Sequence, residues 1–469
     1  MQRRRFNRRE LLRTTATGTA LLALAPVVDA CSRLAGGGNS ATSGTVEFMA
    51  HFTPLGKGPR HDASKKIWSN FQQKYPNITI KWQETAWPTI GEKFMAAWSA
   101  NTSPDISLFS PANIGPVYEL GALTDLQPYL QKWPSSDQQD FPKAWWQVGT
   151  YGKEKIICPL LLFGNMLTYR KSAFAKVEVD PSTLKTWDGW VAALQKVVTD
   201  GSGKHPGDAG FDKSTVKMWG YGTFLGRNTG ATPPYWTSML MEKTGHQDTE
   251  PPDWKADSWV SDAGLSIMQF TTDWIKKYQI LSPSTLNMAL PDGSKFFDQG
   301  GCAVYDFGTN VYAAAAAQFQ FPKDDISFTL SPTFDGTKWG PIGLNHWSMG
   351  VSNKSKALDP ALTVIDFWLN PDSDLIMSEV GGQQPKRLST AKNKFFDAPN
   401  ESFMKLVTEG LAQWSMPDLS PPVRTNELLT EAYQSIVTQN TPVKTAMQSA
   451  LDRYNKLLSE IPKSKLPKV

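Results

Sequence analysis

From Thr45 onward, apolar positions alternate between a period of two and a period near 3.6. Thr45 to Ala50 places Val46 and Phe48 on one face, the pattern of a half-buried strand. Ser64 to Tyr75 carries Ile67, Trp68, Phe71 and Tyr75 at helical spacing, and Pro76 stops it. Ile78 to Trp82 is a second predicted strand, Glu92 to Trp98 a second helix and Asp105 to Phe109 a third strand. This β-α-β-α-β order implies a parallel sheet with right-handed crossovers.

The alternation then recurs. Lys155 to Phe163 is a strongly apolar predicted strand. Thr186 is placed to cap a helix carrying Trp187, Trp190, Val191, Leu194 and Val198 on one side. Ala263 to Tyr278 reads as a helix, and Cys302 to Phe307 and Trp347 to Val351 read as strands. Asp359 is placed to cap a helix with Pro360 in its first turn, ending at Leu369 before Pro371. The last apolar pattern, Leu429 to Leu458, reads as two helices split near Pro442. The chain has no internal repeat of 20–50 residues.

The first thirty residues are an address rather than part of the fold. Arg3, Arg4, Arg5, Arg8, Arg9 and Arg13 precede the apolar stretch Ala20 to Val28. That stretch is far shorter than the roughly 20 residues a spanning helix needs. Asn7 to Arg13 resembles a twin-arginine export motif, and Val28-Asp29-Ala30-Cys31 resembles a lipobox, in which Cys31 would be lipidated. Asp29 departs from that pattern, so an ordinary signal peptide cut near Ala30 and an uncut anchor stay open. Residues 31–44 are Gly/Ser-rich and read as a flexible tether.

Charge fits this division. Removing those six arginines with Glu10 and Asp29 from 48 basic and 44 acidic residues leaves 42 of each. No basic stripe remains to meet nucleic acid. Roughly 440 residues remain after the leader, too many for one core. Cys158 and Cys302 are the two other cysteines; an oxidising compartment would permit a bridge between them, and two buried free thiols is the preferred reading.

Several short motifs keep a fixed order along the mature chain. They are Phe71-Gln72-Gln73-Lys74-Tyr75-Pro76-Asn77-Ile78, Ser103-Pro104-Asp105-Ile106 and Gly121-Ala122-Leu123-Thr124-Asp125-Leu126. Cys158-Pro159 leading to Tyr169-Arg170-Lys171, Thr186-Trp187-Asp188-Gly189-Trp190, Phe297 to Val304 and Gly381-Gly382-Gln383-Gln384-Pro385 complete the set. In this order they resemble the family 1 extracellular solute-binding proteins, the maltose-binding-protein-like receptors of ABC importers. The resemblance implies an α/β, two-lobed periplasmic-binding-protein fold, type II-like. Each lobe would be a mainly parallel sheet flanked by helices, with a hinge of two or three crossing segments. The motif positions place one lobe at 45–160 plus 350–412 and the other at 161–343 plus 413–469, with a crossing at 344–349. The implied function is capture of a carbohydrate between closing lobes and its delivery to membrane permease subunits. The protein would be an exported, lipid-anchored monomer without a cofactor or metal.

A sugar site needs ring faces against C–H patches and polar groups for hydroxyls, each costing about 1–3 kcal/mol if left unpaired. Loops supply the candidates, because ligands of open α/β sheets bind beyond the carboxyl ends of strands. His51 and Phe52 follow the first strand, Glu84 and Trp87 the second, Phe109 and Asn113 the third. Tyr235 and Trp236 lie in a Gly/Pro-rich loop, where Tyr235 matches the stacking aromatic of maltose-type receptors. Pro233 stands where those receptors carry an acid, which puts maltose itself in doubt. Asn310, Asn345, His346 and Trp347 lie at strand ends, and Arg387 and Arg424 are candidate clamps.

No zinc-protease, nucleophile-elbow or Walker motif occurs, and the five histidines are scattered without ligand spacing. A glycosidase carboxylate pair stays open as a remote alternative. A non-sugar solute, such as a polyol, polyamine or peptide, is the nearer one. The candidate loops are poor in the acids that a polyamine would need.

Overall fold

The computed structural model describes residues 43–461, except 152, 165, 228–230, 247, 250–253, 306–321, 398–407, 409–414 and 417–424. Strand β1 (Gly44–Ala50) pairs in parallel with β2 (Ile78–Glu84) and β3 (Ile106–Phe109). Helix α1 (Pro59–Lys74) links β1 to β2 and buries Ala63, Ile67 and Phe71, three positions spaced by four. It starts five residues before the apolar periodicity does. Gly58, at φ 116°, makes a turn that other residues resist, and Pro59 supplies a preset first helical position. Helix α2 (Ile90–Ser99) and helix α3 (Pro111–Glu119) follow β2 and β3.

The apolar run from Lys155 is broken rather than continuous. Residues Thr150–Tyr151 (β4) and Glu154–Lys155 (β5) form a small antiparallel hairpin, and only Cys158–Gly164 (β6) joins the large sheet. Lys155 explains the break. It is fully buried, and its ammonium donates to the carbonyls of Trp145 (2.8 Å), Trp146 (2.9 Å) and Val148.

In the second half of the chain, Leu167–Arg170 (β7), Trp219–Gly222 (β8), Cys302–Tyr305 (β9) and Ile326–Thr329 (β10) make a separate sheet in the order β10-β7-β9-β8. Only β8 and β9 run parallel there. Ile342–Val351 (β11) returns to the large sheet, antiparallel to both β3 and β6, and its first residues pair with Ser415–Met416 (β12). Both sheets are therefore mixed. β11 begins five residues ahead of its apolar alternation, because Ile342 and Gly343 are paired to β12. Its register against β6 slips between Trp347 and Ser348, opposite Pro159, which has no N–H to donate.

Three connections leave or enter the large sheet: β6 to β7 and β10 to β11 join it to the second sheet, and β12 is followed by the helix Thr425–Gln439. Two apolar cores result. One lies around β1, β3, β6 and β11. The other lies around Trp187, Trp190, Trp274 and the helices Thr425–Gln439 and Val443–Ser459. The last two helices split at Pro442 as the sequence predicts. The Thr186 hydroxyl accepts from the Gly189 N–H at 3.1 Å and caps its helix. Asp359 is not a cap: Ala357 occupies that position, and Asp359 lies inside the first turn of Leu358–Leu369. Its charge still favours the helix N-terminus there. Cys158 and Cys302 are buried free thiols.

Candidate functional site

The carboxyl ends of β1 and β2 and the entering half of β11 meet at one edge of the large sheet. β11 runs antiparallel to β3, with Ser348 opposite Phe109, so Trp347 and the residues before it extend beyond the end of β3. There the His51 and Trp347 ring centroids are 3.9 Å apart at 44°. Phe52 meets the same imidazole edge-on at 4.7 Å. The buried Nδ1 of His51 has no hydrogen-bond partner among the described residues. Burial, then the nearby charges of Arg60 and His61, push that imidazole down to about 3, so it is neutral at physiological pH.

A polar network braces this edge. Thr53 is fully buried and its hydroxyl donates to Glu84 Oε2 at 2.5 Å. His61 Nδ1 lies 2.8 Å from the Thr53 carbonyl and 4.0 Å from the same Glu84 oxygen. The loops after β1 and β2 are thereby tied together. Glu84 stays 45 % exposed and Trp87 56 % exposed, an accessible carboxylate and an accessible indole at one rim. Arg60, in the first turn of α1, is pushed down to about 10 by burial and remains a cation.

His51, Phe52, Glu84, Trp87 and Trp347 thus gather at the carboxyl edge. His346 precedes Trp347 on β11 but is fully buried, with Nδ1 2.8 Å from the Ser348 hydroxyl. Burial, and then Lys155, push it down to about 3. Asn345 lies on the same strand, paired with Phe163. Phe109 is wholly buried, edge-on to Phe94 at 4.9 Å. Asn113 is held in a cap, its Oδ1 accepting from the Ser110 hydroxyl at 2.9 Å.

Tyr235 and Trp236 belong to the other half of the chain and are buried there. Tyr235 sits in the left-handed region at φ 51°, its ring 4.9 Å from Trp187. Arg387 is engaged by partners of its own. Its guanidinium donates to Asp140 (2.9 Å), Asp137 (3.1 Å) and the Leu369 carbonyl (2.6 Å), and it stacks over Phe141. Asn310, Arg424 and Cys31 lie outside the described residues.

Sequence reasoning did not single out Arg60 and His61, of which His61 braces the candidate edge through Thr53. Their signal was the Gly58-Pro59 helix start, which places two basic residues directly beyond β1. Among the described residues no cluster of three or more His, Cys, Asp or Glu is set to hold a metal. No described helix is long and apolar enough to cross a membrane.

Comparison with known proteins agrees with this layout. Maltose-bound MalE3 of T. maritima superposes with a TM-score of 0.69 at 17 % identity, covering 88 % of this chain and 99 % of that one. A Listeria monocytogenes ABC substrate-binding protein in complex with cycloalternan superposes with a TM-score of 0.68 at 18 % identity, covering 88 % and 99 %. These likenesses show the two-lobed α/β fold. In sequence, a probable amino-acid ABC transporter periplasmic-binding protein of Sinorhizobium fredii is 23 % identical over 347 residues, 72 % of each chain. Residues 57–374, well over half of the sequence, match one family throughout, and this chain belongs to the bacterial extracellular solute-binding proteins.

Proposed function

We propose that this protein is the receptor of a bacterial ABC importer and captures a carbohydrate between two closing lobes. The single observation that carries the reading is the aromatic edge at His51 and Trp347, with Glu84 accessible and Trp87 exposed in the segment that follows β2. Ring faces cover sugar C–H patches, while a carboxylate and an imidazole with an open nitrogen take hydroxyls. Relatives of this fold described with maltose and with cycloalternan support the same class of solute.

The second half of the chain would complete the site from loops near Tyr235, Asn310 and Arg424. The lobes would be 45–160 plus 350–412 and 161–343 plus 413–469. Three connections suit a hinge, and solute touching both lobes selects the closed state by differential affinity. The leader would export the chain, and lipid on Cys31 would hold a monomeric receptor near its permease.

The Sinorhizobium relative favours a second reading, an amino-acid solute. Tryptophan fluorescence and thermal shift against mono- and oligosaccharides, polyols, polyamines and amino acids separate the two. Saturable stabilisation by a sugar supports the proposal, at about 2.7 kcal/mol for a hundredfold excess over Kd. Stabilisation by amino acids alone rejects it.

A further inference from the structure

An exposed cation in the second half of the chain is held in place by a buried amide. Arg227 follows β8, which ends at Gly222. Its Nε donates to Gln434 Oε1 at 2.8 Å. Gln434 is buried on the helix Thr425–Gln439, and its Nε2 donates to the carbonyls of Leu225 (2.6 Å) and Leu286 (2.9 Å). These bonds use the oxygen and both N–H groups of the amide, so its orientation is fixed. From this placement we infer that Arg227 contacts the solute from the second half, donating from its Nη groups to neighbouring hydroxyls of a carbohydrate, with Gln434 as its positioning residue. The inference deepens the carbohydrate reading and rests on it.

Strand register puts the end of β8 beside the hinge. Gly222 pairs with Tyr305 at the end of β9, and Tyr305 pairs with Thr168 on β7. Leu167, where β7 starts, lies opposite Thr329 at the end of β10. The ends of β8, β9 and β10 therefore share one edge with the start of β7. Chain from the large sheet enters at that edge, since β6 ends at Gly164 and β7 starts at Leu167. Gly164 in turn pairs with Leu344, on the stretch of β11 that leads to Trp347. The carboxyl edges of both sheets thus flank the same short crossing, and ligands of such sheets bind beyond carboxyl ends. Among the described residues, the bond to Gln434 is the hydrogen bond that Arg227 makes, and no carboxylate pairs with it. A guanidinium anchored through Nε keeps a planar edge of Nη donors, which spans two adjacent oxygens. Being already oriented, it loses little freedom on binding. An exposed cation at this edge also repels a polyamine.

The test is calorimetric titration of the protein with glucose, galactose, xylose, maltose and cellobiose, with glutamate and alanine as a separate arm. Arg227→Met keeps the stem and removes the donors, and at an exposed position it should leave the urea midpoint unchanged. A sugar that the parent binds is expected to bind this variant about 10–100-fold more weakly. Arg227→Lys keeps the charge without the paired donors and should recover only a small part of the loss. Gln434→Met should weaken the sugar in the parent and add nothing further in Arg227→Met, whereas a merely structural role would cost the same in both backgrounds. Should Gln434→Met not fold, the two Arg227 variants decide.

A sugar bound equally by the parent and Arg227→Met overturns this inference and leaves the carbohydrate reading standing. Full recovery in Arg227→Lys overturns the contact to paired hydroxyls. Binding of glutamate or alanine without any sugar overturns both the hydroxyl contact and the carbohydrate reading, and so does binding of nothing in either arm.

Discussion

His51 and Trp347 join two strands that are distant in sequence, the end of β1 and the middle of β11, through ring centroids 3.9 Å apart. Trp347 is 8 % exposed, so most of its indole is core and a narrow edge faces outward with the imidazole. One side chain thus carries both stability and the proposed binding surface.

Trp347→Ala should therefore lower stability by about 3 kcal/mol through loss of buried area and the cavity left behind. It should also weaken solute binding by about 2–10-fold, as loss of an aromatic contact worth about 0.5–1.5 kcal/mol implies. Trp347→Phe should regain most of the stability and part of the affinity. Urea unfolding and calorimetric titration read the two effects separately. Unchanged affinity in the folded Ala variant would remove Trp347 from the site.

The fold was legible where hydrophobic period and punctuation agree. Thr186, Pro76 and Pro442 mark helix ends by local chemistry, and the structure uses all three. Lys155 and β11 were not legible in the same way. A lysine reads as solvent-facing until three carbonyls close around it, and the length of β11 depends on β12, some 70 residues later. At the candidate site, the sequence pointed to His51, Glu84 and Trp347 through their places next to predicted strands. Nothing local told Arg387, committed to Asp137 and Asp140, from an arginine facing a ligand.

Arg387 supplies a contrast. Its guanidinium is buried between two carboxylates, a carbonyl and the Phe141 ring. Arg387→Met leaves Asp140 without its buried partner and should destabilise the protein by about 3 kcal/mol. At temperatures where the variant stays folded, solute affinity should match the parent within a factor of two. A large affinity loss in the folded variant would return Arg387 to the site.

Acid should weaken the fold through its buried imidazoles. His346 is held far below 6.5, at about 3, so its neutral form is required for folding. Its contribution is complete above pH 6.5 and is lost as pH falls toward 3, because the unfolded chain binds the proton first. Between pH 7 and 5 the loss is about 2 kcal/mol for a fully buried group. His346→Gln should flatten the dependence of the urea midpoint on pH over that interval. An unchanged slope would show that His346 protonates as easily in the folded protein as outside it.

Asp298 acts with the opposite sign. It is buried at the end of the helix Leu290–Asp298, its Oδ1 has no partner, and burial pushes the carboxyl up to about 6. The unfolded group releases its proton near 3.8, so stability is greatest below that pH and falls as pH rises to 6. Above pH 6 the folded protein carries a buried, poorly compensated charge at a helix C-terminus, where the macrodipole also disfavours it. Asp298→Asn keeps the shape and removes the charge. It should raise stability at pH 7.5 by about 2 kcal/mol and change it little at pH 4, where both side chains are neutral. Thermal unfolding of the two proteins at both pH values is the measurement. Equal melting temperatures at pH 7.5 would mean that the carboxylate has a compensating partner when charged.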